Sequence, residues 1–173
     1  MASNFITYTK RGVAESTLLK ATQVGHHYNL VNESKDIDNG SVAVIGDRKR
    51  ADVFEAKVPA KGDKIVLILT APKIYEEYET RMQEESNFYN GKGEVMRAYE
   101  IQDTDRFTLS TEAFADDAEL AVGKYVFVDG TGYKLTTGEK PNMTQYGFVG
   151  HIYEIANNGN YRIWVDKNAQ VYA

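Results

Sequence analysis

The sequence predicts a mainly β protein: one body of short antiparallel strands, an extended N-terminal arm, and at most one helix at about residues 73–87. Three observations lead there. In the last fifty residues the strands come with their turns: runs at 124–128 and 133–137 flank Asp129-Gly130-Thr131-Gly132, and runs at 148–155 and 161–165 flank Ala156-Asn157-Asn158-Gly159-Asn160. Gly and Asn adopt positive φ at little cost, so both linkers suit hairpins between β-branched and aromatic runs. Upstream, short apolar runs bounded by Gly, Pro and Asn recur, and only one segment repeats at helical spacing. The composition, with 42% hydrophobic residues and 12 Tyr among 173 residues, fits a chain that folds around a real core.

The elements follow in order. Residues 1–12 alternate apolar and polar side chains before Lys10-Arg11-Gly12, the pattern of an edge strand or an arm. A solvated tail seldom carries three large apolar groups, here Phe5, Ile6 and Tyr8, within four positions. The arm is therefore set at 1–12 and a single β-rich domain at 13–173. Residues 13–30 read as short strands, with Gly25 breaking any helix, and 32–40 as a polar loop. The run 41–46 between glycines reads as a buried strand; 53–58 alternates and stops at Pro59; 65–70 is a second buried strand closed by Ala71-Pro72. Between 73 and 87, Ile74, Tyr78 and Met82 recur every four residues, with glutamates on the other faces, which gives the helix candidate. Strands at 95–101 and 106–110 follow, separated by an Asp103-Thr104-Asp105 turn. Gly147 and Gly150 beside Phe148 mark a bulge or a close approach of two backbones.

Charge and cysteine content exclude several classes. The chain has no Cys, hence no disulfide framework and no thiolate chemistry. Residues 61–122 hold fourteen acidic against seven basic side chains, which accounts for the net charge of −5. The only basic cluster, Arg48-Lys49-Arg50, is flanked by Asp47 and Asp52, so no nucleic-acid partner is expected. The N-terminus lacks an apolar signal core and the longest apolar run, 65–69, is too short to span a bilayer, so a soluble protein made in the cytoplasm is expected.

Chemistry finds little support. His26 and His27 would point to opposite sides of an extended segment, and His151 stands alone in a strand. Asp36-Ile37-Asp38-Asn39-Gly40 has calcium-loop flavour but places Gly40 where a ligand belongs. Glu76, Glu77, Glu79, Glu84 and Glu85 beside Lys73 and Arg81 read as a solvated face. No phosphate-loop, dinucleotide, nucleophile-elbow or zincin motif occurs. The expectation is no catalytic residue, no metal site and no cofactor. The many tyrosines suit subunit contacts, or else half-buried strand positions.

Residues 87–101 (NFYNGKGEVMRAYEI), 105–110 (DRFTLS) and 121–128 (AVGKYVFV) resemble structural proteins of tailed bacteriophages that infect Gram-positive hosts. These are small capsid-associated proteins encoded near the major capsid protein, and the resemblance spans roughly the C-terminal half of this chain. It implies a capsid decoration, or cement, protein: a non-enzymatic virion component on the capsid exterior. Such a protein binds the major capsid protein, often as a homotrimer, and holds neighbouring capsomers against internal DNA pressure. The implied body is a small antiparallel β-barrel of the β-tulip type whose N-terminal arm adds a strand to the capsid protein. Phe5, Ile6 and Tyr8 thereby become candidate capsid contacts. The chain is longer than the simplest members, and the resemblance does not explain its acidic middle third. Two other readings stay open: a different virion part such as a head-fibre, head-completion or tail protein, and a carbohydrate-binding β-module with Trp164 and Tyr161 lining a sugar groove.

Overall fold

The computed structural model describes residues 10–73 and 78–172. Within these, the strands are β1 (Ala14–Glu15), β2 (His27–Val31), β3 (Ile37–Asp38), β4 (Val42–Arg50), β5 (Val53–Lys57), β6 (Val66–Ile68) and β7 (Tyr89–Asn90). They continue with β8 (Val95–Glu100), β9 (Arg106–Leu109), β10 (Tyr125–Phe127), β11 (Thr136–Gly138), β12 (Phe148–Ile155) and β13 (Tyr161–Asn168). The fold is mainly β, as the sequence predicts, and is built around a closed five-stranded barrel in the order β2-β5-β4-β6-β8. A six-stranded sheet, β1-β9-β13-β12-β10-β11, lies against it, and β3 pairs with β7 in a small ribbon. The ladders are antiparallel except one: β2 and β5 run parallel, with Leu30 opposite Phe54.

The buried runs have a specific cause. In β6, Val66 and Ile68 point into the barrel beside Leu30, Ala43, Met96 and Ala98, while Leu67 points the other way. There it joins Val42, Ile65, Phe107, Leu109, Phe148, Ile163 and Val165 in a core shared by barrel and sheet. The period of two thus sends alternate side chains of one strand into two apolar compartments, and this is why 65–69 reads as a continuous apolar run.

Asn168, at the end of β13, fastens the two sheets together. Its Oδ1 accepts from the Ile65 N–H at 2.9 Å, and its Nδ2 donates to the carbonyls of Ile65 (2.8 Å) and Ile101 (2.7 Å), both at ends of barrel strands. Nearby, the Gly147 N–H donates to the Lys61 carbonyl at 2.8 Å. A Cβ on Gly147 would lie 2.2 Å from the Asp63 oxygen, so only glycine fits this crossing. At Gly150 the β12–β13 register shifts. Both glycines therefore mark the bulge and close approach expected of them.

Several elements differ from expectation. Segment 73–87 holds one helical turn, α2 (Thr80–Gln83), and a 3-10 turn at Glu85–Asn87; residues 74–77 lie outside the described residues. Met82 is buried but Tyr78 is 78% exposed, so the four-residue spacing does not form one apolar stripe. Region 13–30, read as strands, contains β1, the start of β2 and a second helical turn, α1 (Lys20–Gln23), ended by Gly25 at φ +68°. The β10–β11 connection is longer than the predicted tight turn. Tyr133 leaves the hairpin because its carbonyl accepts from the Val42 N–H (2.7 Å) and its hydroxyl reaches the barrel.

Candidate functional site

The proposed arm contacts Phe5, Ile6 and Tyr8 lie outside the described residues; the described chain next to them, at Arg11 and Gly12, is held in detail. The Arg11 N–H donates to the Ser86 carbonyl at 2.8 Å, and its guanidinium meets Asp38 at 3.2 Å and stacks 4.6 Å from the Tyr89 ring centroid. Arg81 approaches the same ring at 5.3 Å, so Tyr89 sits in contact with two guanidinium groups. Arg81 is held by a two-pronged pair with Glu94, both contacts 2.7 Å, and by Glu79 at 2.8 Å. Hydrogen bonding to Arg81 holds the Glu94 carboxyl below the usual carboxylate range, with its burial opposing. The β3–β7 ribbon positions the cluster by pairing Asp38 with Tyr89. Gly12 follows in tight contact: a Cβ there would lie 2.5 Å from the Asn39 oxygen.

A second surface is the outer face of the six-stranded sheet. Arg106, Trp164, His151 and Tyr125 stand directly opposite one another on β9, β13, β12 and β10, a row across four strands. The Arg106 guanidinium lies 5.5 Å from the Trp164 ring, Tyr153 meets that ring edge-on at 6.2 Å, and Tyr125 lies 6.2 Å from His151. The register shift between Ile152 and Glu154 leaves Tyr153 as the extra residue on β12. His151 Nδ1 and Asp166 Oδ2 are 2.8 Å apart, and Arg162 pairs with Glu154 at 2.9 Å. All four side chains of the row are half-buried. At the far end this face is covered: Phe127 packs edge-on to Tyr146 at 5.1 Å, and Lys167 Nζ donates to the Met143 and Tyr146 carbonyls.

Other sequence candidates take structural roles. Tyr161 and Trp164 do not share a groove: Tyr161 points inward, edge-on to buried Phe114 at 5.9 Å, while Trp164 points outward. Asp36 accepts from the Lys92 N–H at 2.8 Å and Asp38 holds Arg11, so the Asp36–Asp38 pair closes loops. Lys49 of the basic cluster lies 3.6 Å from Glu55 on the β4–β5 hairpin. His151, expected to stand alone, has Asp166 as partner. No three His, Asp or Glu side chains converge as a metal site among the described residues.

Sequence reading missed the asparagines and one tyrosine that carry the buried polar network. Asn32 Nδ2 donates to the Tyr133 hydroxyl (2.7 Å), which donates to the Ala56 carbonyl (2.8 Å). Burial pushes the Tyr133 phenol up. Asn39 exchanges hydrogen bonds with the Thr70 backbone at 2.9 and 3.0 Å. A cleft of about 430 Å³ borders this network and Arg11, between Arg11, Lys35, Asp38, Asp129 and Tyr133. Of its charges, Arg11 meets Asp38, Lys35 lies 4.9 Å from the Tyr133 ring and Asp129 accepts from Thr131, while Asp116 and Lys134 also line it.

No protein-family model, curated protein or solved structure matches this chain. No helix among the described residues is long and apolar enough to cross a membrane.

Proposed function

We propose that the protein is a non-enzymatic structural component of a virion that attaches to the outside of the capsid and stabilises contacts between major capsid protein subunits. The observation that carries a protein-binding role is the Arg106–Trp164–His151–Tyr125 row on a sheet face. Trp, Tyr and Arg are enriched in protein interfaces and at their energetic centres. Here they sit on paired strands rather than on a mobile loop. The identity of the partner rests on the resemblance of residues 87–128 to phage capsid-associated proteins.

The arm root supports the same reading. A segment that adds a strand to a partner gains affinity when its attachment point is fixed, since less orientational freedom is lost on binding. Arg11, held by Asp38, Tyr89 and Ser86, supplies that fixed point. Arg11 and Gly12, counted with the arm in the sequence, are thus packed against the body.

The test is attachment of the purified protein to undecorated capsids, read by co-sedimentation. The full chain should co-sediment and a chain lacking residues 2–9 should bind more weakly, with thermal unfolding of both chains separating a lost contact from a lost fold. Equal attachment by the truncated chain would remove the arm from the contact. Absence of attachment by the full chain would overturn the proposal.

A further inference from the structure

We infer that the cleft of about 430 Å³ between β3, the 129–134 segment and the loop after Phe114 binds a neutral, polyhydroxylated ligand of the saccharide class. Its size falls within the roughly 300–1,000 Å³ of small-molecule sites. One group in its wall points to an occupant directly. Ser41 is 2% exposed and lines the cleft, yet its hydroxyl has no hydrogen-bond partner among the described residues. The buried asparagines, by contrast, each bond to a backbone or side-chain group. A hydroxyl so placed both donates to and accepts from whatever fills the cleft.

The charges of the cleft decide the class of occupant. Arg11, Lys35 and Lys134 line it together with Asp36, Asp38, Asp116 and Asp129, and the two signs are interleaved. The Arg11 guanidinium lies 3.2 Å from Asp38, Lys35 precedes Asp36 in the chain, and Lys134 and Asp116 stand next to the Phe114–Leu135 bridge. Neither sign has an end of the cleft to itself, so an anion such as phosphate would meet opposing carboxylates. A metal ion is no better served, since no three His, Asp or Glu side chains converge among the described residues.

The wall keeps donors and acceptors open at once. Lys134 and Asp116 make no ion pair or hydrogen bond among the described residues, the Lys35 ammonium meets only the Tyr133 ring, and Arg11 takes one oxygen of Asp38. Sugar hydroxyls are donors and acceptors together, so one ring can accept from Lys134 and Ser41 while donating to Asp116 and Asp38. Such bonds to charged groups are the stronger kind, and a neutral ligand leaves the balance of the cleft undisturbed. The walls are already fixed: the Ala115 N–H donates to the Leu135 carbonyl at 2.9 Å, and Tyr133 is held by Asn32 and Ala56. Little order is lost when a ligand enters such a site.

Saturation-transfer NMR on the full chain tests this, with glucose, galactose and N-acetylglucosamine as probes and sodium phosphate and glycine as ionic competitors. At least one sugar should bind with a Kd of about 1–20 mM, the affinity that a few hydrogen bonds to a small ligand supply. Asp116→Ala, Lys134→Ala and Ser41→Ala should each weaken it by about fivefold or more. Asp116 is exposed and unpartnered among the described residues, so its replacement tests the site even if Ser41→Ala perturbs the fold. Trp164→Ala, which does not touch the cleft, should leave sugar binding unchanged. No binding by any of the three sugars, binding that survives all three cleft variants, or displacement of the sugar by phosphate or glycine at equal concentration would each overturn the inference. Co-sedimentation with capsids is a separate measurement on the same chains, so the capsid reading stands or falls independently of this result.

Discussion

Replacing Asn168 by Ala should remove a large part of the stability of the whole molecule. The side chain is 6% exposed and satisfies three backbone groups at barrel strand ends: the N–H and carbonyl of Ile65 and the carbonyl of Ile101. Deleting it leaves one donor without a partner and two carbonyls short of one, and each such buried loss costs about 1–3 kcal/mol. Carbonyls tolerate the loss better than an N–H and water can enter part of the hole, so the expected total is roughly 4 kcal/mol. Against a folding free energy of about 5–15 kcal/mol this is severe. Urea unfolding followed by the emission of Trp164, the only tryptophan of the chain, measures it directly. Asn168→Asp sharpens the test. It keeps an acceptor for the Ile65 N–H but sets carboxylate oxygens against two carbonyls, which raises the folded-state pKa of the new carboxyl. A raised carboxyl pKa means that the charged form is the destabilising one, so the deficit relative to wild type should shrink as pH falls through that value. A loss below about 1 kcal/mol for Asn168→Ala, the level of an ordinary surface change, would refute the stapling role.

Three further outcomes follow from the same geometry. Gly147→Ala should lower the melting temperature strongly, by about 2–4 kcal/mol of stability, because its Cβ would meet the Asp63 backbone, whereas Gly132→Ala, which meets nothing within 4 Å, should be neutral to within about 0.5 kcal/mol. Thermal unfolding of the two variants side by side distinguishes crowding from a general intolerance of glycine replacement. Tyr133→Phe should cost about 1–3 kcal/mol in denaturant unfolding, since the buried Asn32 amide and Ala56 carbonyl each lose a partner. Glu94 has its folded pKa depressed, so its stabilisation is fully present above the ordinary glutamate value of about 4.3 and is lost as pH falls through the lower folded value. Glu94→Gln should therefore be less stable than wild type at neutral pH, and the two should converge in acid. The effect is modest, as the carboxylate is 45% exposed, and an unchanged gap at low pH would exclude the ion pair as its source.

Much of the fold was legible because it follows period-two alternation and turn chemistry. The β12–β13 hairpin was readable from its Asn- and Gly-rich linker, and Gly159 takes the expected positive φ of 83°. The strands at 53–57, 95–100 and 106–109 were readable from alternation between turn residues. What escaped was decided by tertiary partners. Tyr133 looks like a strand residue, but its hydroxyl finds Asn32 and Ala56, contacts separated from it by 101 and 77 positions. The parallel closure of β2 on β5 leaves no trace in either strand, since a ladder partner is not encoded locally. In the acidic segment, Arg81 holds both Glu79 and Glu94 in ion pairs, an arrangement that counting charges cannot separate from a solvated face. The sheet-face row was hidden for a related reason. Arg106, Tyr125, His151 and Trp164 are scattered over 59 positions and become neighbours only through strand order.

The strand order also decides which parts of the body can meet a partner. A closed barrel has no free edge, so β2, β4, β5, β6 and β8 offer no backbone to an incoming strand. The six-stranded sheet has two edges, and both are blunted. β1 is only two residues long, and β11 is flanked by the loop that bridges Phe114 to Leu135 and ties Glu119 to Thr137. Strand addition onto this body is therefore disfavoured, and contact through its side-chain face costs no backbone rearrangement. Contact through the side-chain face is testable on its own: under the proposed capsid attachment, Trp164→Ala should weaken co-sedimentation with capsids while leaving the Arg11 contacts with Asp38 and Ser86 untouched.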